Sequence, residues 1–282
     1  INKEICQNQQ KRIQHKLMKK EKWYRPLVSW HRRNKTKQLK KGVMNAIASC
    51  KDKIPVLIIS YNNGVYVENM LNQLSEFNIT PIIIDNNSTD QDTLNILNKA
   101  RIDNKAYIAS SNENLGHMVG FLDPIYTLLP EVFAYTDPDL QFNKNLPKKF
   151  LEILSSLTKE YSTYKAGFAL DLLPDENFVN TKHHFKRTKP FIWNKVCSIR
   201  EIESKYWRKK IDNKNYDIYC AKIDTTFAVY RKGNYNGDFF DGIRIAGNFS
   251  TTHLPWFPDI DLMNKDERTI YMKGNISTTS VK

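Results

Sequence analysis

The sequence predicts an α/β fold, a mostly parallel sheet flanked by helices, with a basic helical appendage at its start. Three observations carry that reading. From Pro55 onward, short apolar runs alternate with amphipathic stretches. The polar clusters of this half each follow directly on an apolar run. The excess positive charge is confined to the first 50 residues.

Val56-Leu57-Ile58-Ile59 reads as a buried strand, bounded by Pro55 and by Asn62-Asn63-Gly64. Val67, Met70, Leu71 and Leu74 then recur at helical spacing and give one apolar face. Pro81-Ile82-Ile83-Ile84 is the second strand, and Leu94, Ile96 and Leu97 lie in the helix after it. Ala106 to Ala109 is the third strand, Met118 to Leu129 a helix, and Val132 to Thr136 the fourth strand. Pro147 is suited to open the next helix at its first position, with Phe150, Leu151, Ile153, Leu154 and Leu157 facing inward. Periodicity is weak from Leu172 to Lys222, where His183-His184 reads as an exposed loop pair. It returns in Ile223 to Tyr230, an apolar strand with Asp224 near its start. The chain therefore divides at 52/53 and 170/171 into an appendage and two halves of one domain.

Composition sets the outer bounds. A hydrophobic fraction of 40% over 282 residues suits a folded chain with one sizeable core. No apolar run approaches the roughly 20 residues of a membrane span. The start, Ile1 to Lys22, is polar and basic rather than signal-like, and Cys6, Cys50, Cys197 and Cys220 are scattered without Cys-x-x-Cys spacing. These features predict a reducing, cytoplasmic location. With 43 Lys and Arg against 30 Asp and Glu, the formal charge is +13. Residues 1–50 hold 14 of the basic residues with only Glu4 and Glu21 opposing, which leaves 29 against 28 for the remainder. Between residues 11 and 41, aromatics alternate with basic clusters, as in Lys22-Trp23-Tyr24-Arg25 and Trp30-His31-Arg32-Arg33. Such a stretch suits an anionic membrane surface on its inner face, or equally a helical arm packed on the domain or on a second copy in a homo-oligomer. The near-neutral remainder argues against nucleic acid.

Ligands of open α/β sheets bind beyond the carboxyl ends of the strands. Four polar clusters fall there: Ser60-Tyr61-Asn62-Asn63, Asp85-Asn86-Asn87-Ser88-Thr89-Asp90, Ser111-Asn112-Glu113-Asn114-Leu115-Gly116-His117 and Asp137-Pro138-Asp139. Each alone fits a turn or helix cap. In register on one rim they suit a base, a ribose and two phosphates, with Asn62 and Asn87 among the binding candidates. Asp137 and Asp139 stand two apart, where an extended chain aims both side chains the same way. Paired carboxylates of this kind suit Mg2+ or Mn2+ shared with a diphosphate.

Val56 to Asn62, Asp85 to Asp90, Asn112 to Gly116 and Asp137 to Asp139 together resemble a GT-A glycosyltransferase, similar to glycosyltransferase family 2. The likeness covers roughly Pro55 to Leu170. It implies a GT-A-type, Rossmann-like sheet with a nucleotide-sugar-binding half at 53–170 and an acceptor-binding half at 171–282. It also implies that Ser60, Tyr61 and Asp85 hold the base, that Asn114 and Gly116 lie along the ribose and diphosphate, and that Asp137 and Asp139 bind the metal. Pro138 departs from the consecutive acidic run of many members. His253, in Thr252-His253-Leu254-Pro255-Trp256, resembles the late metal-binding histidine of such folds. Arg244 is a candidate second cation for the diphosphate, with a surface ion pair as the alternative.

The implied reaction moves a sugar from a nucleotide-sugar donor, expected to be a UDP-sugar, to a glycan or lipid-linked acceptor in surface polysaccharide or glycoconjugate synthesis. If the anomeric centre inverts, which is the expectation, a carboxylate must take the acceptor proton. Asp224 is the first candidate and Asp171 the second. Phe185, Trp193 and Trp207 are candidate stacking platforms for a sugar ring. A sugar nucleotidyltransferase would share the sheet, but the loop Ser60 to Tyr66 has no basic residue to grip a triphosphate. A scaffold acting through the basic arm would leave Asp137 and Asp139 dispensable. A dehydrogenase is disfavoured, since no Gly-x-Gly-x-x-Gly follows any strand.

Overall fold

The computed structural model describes residues 36–50, 53–172, 182–185 and 195–274. The basic stretch 11–35 and Trp193 lie outside them. Helix α1 (Lys37–Cys50) leads into strand β1 (Val56–Ser60), helix α2 (Gly64–Ser75), strand β2 (Ile82–Asp85), helix α3 (Gln91–Ile102) and strand β3 (Tyr107–Ser110). Helix α4 (Asp123–Tyr126), strands β4 (Val132–Thr136) and β5 (Leu140–Phe142), helix α5 (Phe150–Glu160) and strand β6 (Lys165–Phe168) complete the first half. The second half contributes β7 (Lys182–Phe185), β8 (Lys195–Ser198), helix α6 (Ile199–Glu203), β9 (Lys210–Ile211), β10 (Ile218–Cys220), β11 (Ala228–Arg231), β12 (Ile243–Ile245), β13 (Thr251–His253) and helix α7 (Lys265–Gly274).

Among the described residues the central sheet has nine strands in the order β3-β2-β1-β4-β11-β6-β12-β10-β9. Strands β3, β2, β1, β4, β6, β12 and β9 run one way, and β11 and β10 run against them. The mostly parallel α/β expectation is met. Antiparallel β11 sits at the centre, between β4 and β6. Its first residues therefore enter the sheet at the carboxyl ends of its neighbours.

The strands form because their residues are β-branched and buried on both faces. All five residues of β1 and all four of β2 are buried. Alternate residues feed two cores, as a two-residue period demands. Val56, Ile58 and Ile83 pack with Val67, Met70 and Leu74 of α2 and with Phe150 and Leu154 of α5. Leu57, Ile59, Ile82 and Ile84 pack with Leu39, Val43 and Ala46 of α1 on the opposite face. Each fully buried aliphatic side chain stabilises the fold by about 1.5–3 kcal/mol. Helix α1 is thus a covering layer of the sheet, and its exposed face carries Lys37, Lys40 and Lys41. At the centre, a side chain at Gly167 would meet the Phe227 carbonyl at 2.5 Å, so β6 and β11 approach closely only with glycine there.

Three local expectations are corrected. Met118 to Leu129 is not one helix: a 3-10 turn, Val119–Phe121, gives way at extended Leu122 to the short α4. Pro124 in the first turn of α4 lacks an N–H and disfavours continuous helix from before it. Helix α5 begins at Phe150 rather than Pro147, and the Phe150 N–H donates to the Pro147 carbonyl at 3.0 Å. His183-His184 lies on β7, paired with β8, rather than in a loop.

Candidate active site

The loops after β1 and β2 are stitched together by their own side chains. Ser60 ends β1 beside Asp85, which ends β2. The Ser60 hydroxyl donates to Asn63 Oδ1 at 2.9 Å, and the Tyr61 N–H donates to the same oxygen at 3.1 Å. Asn62 adopts φ 47°, a left-handed conformation that Asn tolerates. Its Oδ1 accepts from the Thr89 and Asp90 N–H groups at 2.7 and 3.0 Å, and its own N–H donates to Ser88 Oγ at 2.9 Å. Asn62, a binding candidate from the sequence, thus braces two loops. Asn87 is exposed, with φ 66°.

Asp85 is buried and its Oδ1 accepts from the Ser88 N–H at 3.1 Å. Burial raises its pKa above the ordinary carboxylate value, and the Ser88 hydrogen bonds and the Arg101 charge oppose the rise. Asn114 Oδ1 accepts from the Gly116 N–H at 2.9 Å in a side-chain turn, and Gly116 takes φ 82°. The Gly116 carbonyl in turn accepts from Asn86 Nδ2 at 3.0 Å. The three loops thus form a continuous polar rim.

The acidic pair is split, contrary to the extended geometry expected of it. Strand β4 ends at Thr136 and the chain bends at Pro138, so the two carboxylates take different partners. Asp137 Oδ2 accepts from the Thr225 hydroxyl, and the Asp137 N–H donates to the Thr225 carbonyl at 3.0 Å. Burial first, and then the Asp139 and Asp224 charges, hold the Asp137 carboxyl well above the ordinary range. Asp139 Oδ2 lies 3.3 Å from His253 Nε2. That meeting is built by β13 pairing with β5, which sets His253 opposite Leu140. The His253 ring also packs on Trp256, with centroids 4.4 Å apart. Among the described residues, no three His, Cys, Asp or Glu side chains converge on one point. Asp139 Oδ2 and His253 Nε2 are close enough to share a cation, and the other carboxylate oxygen, Asp139 Oδ1, is buried with no partner among the described residues. Those two residues fit a divalent ion.

Asp224 is exposed in the turn before β11, and its charge is felt at Asp137. Asp171 is half-buried near β13: its N–H donates to the Thr251 carbonyl at 2.9 Å, and its Oδ2 accepts from the Thr252 hydroxyl at 3.3 Å. Burial raises its pKa. Arg244 is buried, and its guanidinium is bound to Glu203 at 2.6 Å and to the Lys222 carbonyl at 2.8 Å while stacking on Tyr206. It is committed to protein, and its partner is an interior acid rather than a surface one. Trp207 packs on Tyr219 at 5.2 Å.

The sequence offered Asn63 and Ser88 only as members of polar clusters and did not single out Thr225 or Arg268. Thr225 stands beside the candidate base, and that adjacency was the available signal. Arg268 pairs with Asp261, which also accepts from the Tyr66 hydroxyl, and Tyr66 lies within reach of the Asp139 charge. A guanidinium therefore stands on the Asp139 side of the rim.

Four buried side-chain atoms lack a hydrogen-bond partner among the described residues: Asn86 Oδ1, Asp139 Oδ1, Thr226 Oγ1 and His253 Nδ1. All four belong to the rim at the strand ends. Buried polar atoms are nearly always paired, and an unpaired one costs about 1–3 kcal/mol.

Solved structures of similar shape include the mannosyltransferase PcManGT from Pyrobaculum calidifontis in complex with GDP-Man and Mn2+, at 12% identity and TM-score 0.44, covering 79% of this chain and 67% of that one. Residues 1–349 of TarS from S. aureus align at 16% identity and TM-score 0.37, covering 79% and 55%, so this chain spans about half of that structure. HddC from Yersinia pseudotuberculosis, complexed with GMP-PN, aligns at 11% identity and TM-score 0.41, covering 79% and 98%. Likenesses this distant do not bear on activity. No curated protein matches the chain. The sequence profile of Glycosyl transferase family 2, by contrast, matches residues 56–232, well over half of the chain and the whole span from β1 to just past β11, and the chain therefore belongs to that family of glycosyltransferases.

Proposed function

We propose that this glycosyltransferase uses a divalent metal to move a sugar from a UDP-linked donor, with inversion, onto a glycan or lipid-linked acceptor in surface polysaccharide or glycoconjugate synthesis. The observation that carries the reading is the set of unpartnered polar atoms at the rim, three of them on Asp139, Thr226 and His253. A diphosphate would accept from the Thr226 hydroxyl, and a cation would supply what Asp139 lacks.

Asp85 is the group proposed to select the base, because a carboxylate accepts from the N3–H that uracil presents. Ser60, Tyr61, Asn114 and Gly116 line the same rim and are proposed to bear on the base, ribose and diphosphate. Asp139 and His253 would hold the metal, with Asp137 beside them. When bound, a divalent cation neutralises charge building on the departing diphosphate. Asp224 is proposed to take the proton from the acceptor hydroxyl oxygen as that oxygen attacks the anomeric carbon. Asp224 is favoured over Asp171 because its carboxylate is exposed and free of hydrogen-bond partners among the described residues, whereas Asp171 is held by Thr252. The acceptor is proposed to approach from the second half of the chain, and residues 11–41 to hold the enzyme at an anionic cytoplasmic membrane face.

The test is calorimetric binding of UDP with and without Mn2+ to the wild type and to Asp137→Ala/Asp139→Ala. Metal-dependent UDP binding that the double variant loses is the expected result. Silence toward UDP, with GDP, CDP and dTDP also silent, overturns the reading.

A further inference from the structure

Lys165 opens β6 with no exposed surface at all. Lysine is almost never fully buried unless its charge is paired. Here the ammonium has one hydrogen-bond acceptor among the described residues, the backbone carbonyl of Asp224, at 3.2 Å. It also sits over the ring of Phe239 at 3.8 Å and that of Tyr230 at 5.0 Å. Tyr230 faces Lys165 across the β6–β11 ladder, and its hydroxyl reaches the same carbonyl at 3.4 Å. Two buried side chains thus converge on one backbone oxygen in the turn 221–227.

That turn carries the candidate base on its outer side. One residue on, Thr225 makes both contacts with Asp137, through its hydroxyl and its carbonyl. A shift of the turn would move Asp224 and release Asp137 together. A buried charge lacking a carboxylate partner costs stability, so an apolar side chain would serve the core better.

We propose that Lys165 is a positioning residue, whose ammonium anchors the Asp224 carbonyl from beneath and thereby fixes the turn that presents Asp224 and clamps Asp137. Its effect on catalysis rests on the proposed role of Asp224; the anchoring itself does not.

The groups facing the ammonium are Asp224, Asp238 and Asp241, which favour its charge, and Arg244, which opposes it. Burial outweighs them and lowers the Lys165 pKa to about 7. The charged form makes the stronger hydrogen bond, so the anchor weakens as pH rises through that value. Stability moves the other way. The unfolded lysine keeps its proton up to its ordinary value of 10.5, so between about 7 and 10.5 the unfolded state binds more protons and the fold gains stability with rising pH. Rising pH therefore loosens the turn while it stabilises the whole, a combination that a merely structural lysine would not give.

Amide hydrogen exchange tests the anchor without any substrate. The Asp137 N–H reports the turn, because it donates to Thr225, and the Ala134 N–H, which donates to Pro55, is the internal control. Lys165→Met should speed Asp137 exchange about tenfold relative to Ala134. Lys165→Arg should fall between the two, since it keeps the charge with a changed shape. In the wild type alone, the protection of Asp137 relative to Ala134 should fall between about pH 6 and pH 9, which covers the case of a variant that does not fold. An unchanged ratio in the folded variant, or in the wild type across that range, overturns the proposal. Once a donor is found, Lys165→Met should lower kcat about tenfold with donor KM within about twofold, and an unchanged kcat overturns the catalytic half of the proposal. A wild type that turns over no nucleotide sugar defeats the transferase reading instead, and the exchange ratio still decides for Lys165.

Discussion

At the β1–β2 end of the rim the polar side chains answer one another almost completely, whereas at the β4–β11 end three of them keep an unanswered atom. Asn62 and Asn63 receive backbone and hydroxyl donors across two loops, and Asn86 Oδ1 alone is left over. Across the rim, Asp139, Thr226 and His253 each keep a buried atom without a partner. The first end is held together by hydrogen bonds within the protein. The second leaves polar atoms unpaired, and the charge of Asp139 opposes ionisation of Asp137, a repulsion that a cation would relieve.

The contrast breaks most sharply at Asp139. Asp139→Ala should cut turnover by about 10²–10³-fold or more, the scale of losing one electrostatic contact to the transition state, while thermal unfolding moves little. A large loss of stability in that variant would make Asp139 part of the fold and erase the distinction. Asp85→Asn should weaken UDP binding by about tenfold to a hundredfold, measured by calorimetry, because the amide replaces an acceptor of the base N–H. It should not weaken the fold. Burial raises the Asp85 pKa, so the native state holds its proton longer than the unfolded state and loses stability as pH rises out of the ordinary Asp range. Urea midpoints followed across that range should decline less in Asp85→Asn.

Asn62→Ala should destabilise by about 2 kcal/mol in urea melts, because it strands the Thr89 and Asp90 N–H groups. An effect on UDP affinity without one on stability would show that Asn62 meets the ligand after all. The smallest change is expected of Thr225→Val. Losing its hydroxyl contact to Asp137 should lower kcat about fivefold to tenfold in steady-state assays, with stability altered by about 1 kcal/mol.

Much of this was legible in the sequence. Val56 to Ile59, Ile82 to Ile84 and Val132 to Thr136 announce themselves because strands buried on both faces are apolar throughout, and Asn, Pro and Gly punctuate them. The rim clusters followed from those ends. What was illegible depends on partners distant in the chain. Glu203 claims Arg244 from 41 residues away, and no local pattern foretells it. Pro138 redirects Asp139 toward His253 only because β13 comes to lie beside β5. The strands β9, β10 and β12 have two or three residues each, too few for a period to show. Lys165 carries no signal of burial in the sequence; Phe239, much later in the chain, lies against its ammonium in the fold.

The central position of β11 has a consequence for how the protein is made. Thr225 reaches Asp137 across 88 residues, and β11 fills the gap between β4 and β6. A chain emerging from the ribosome completes β4 and β6 well before it can close that gap, and until then both strands have bare edges open to wrong pairing. Insertion of β11 heals both edges and, in the same motion, delivers the turn that meets Asp137. A truncation between residues 168 and 228 removes the middle of the sheet: such a nascent fragment has β4 and β6 on either side of the gap but neither β11 nor β12, and no assembled acidic centre.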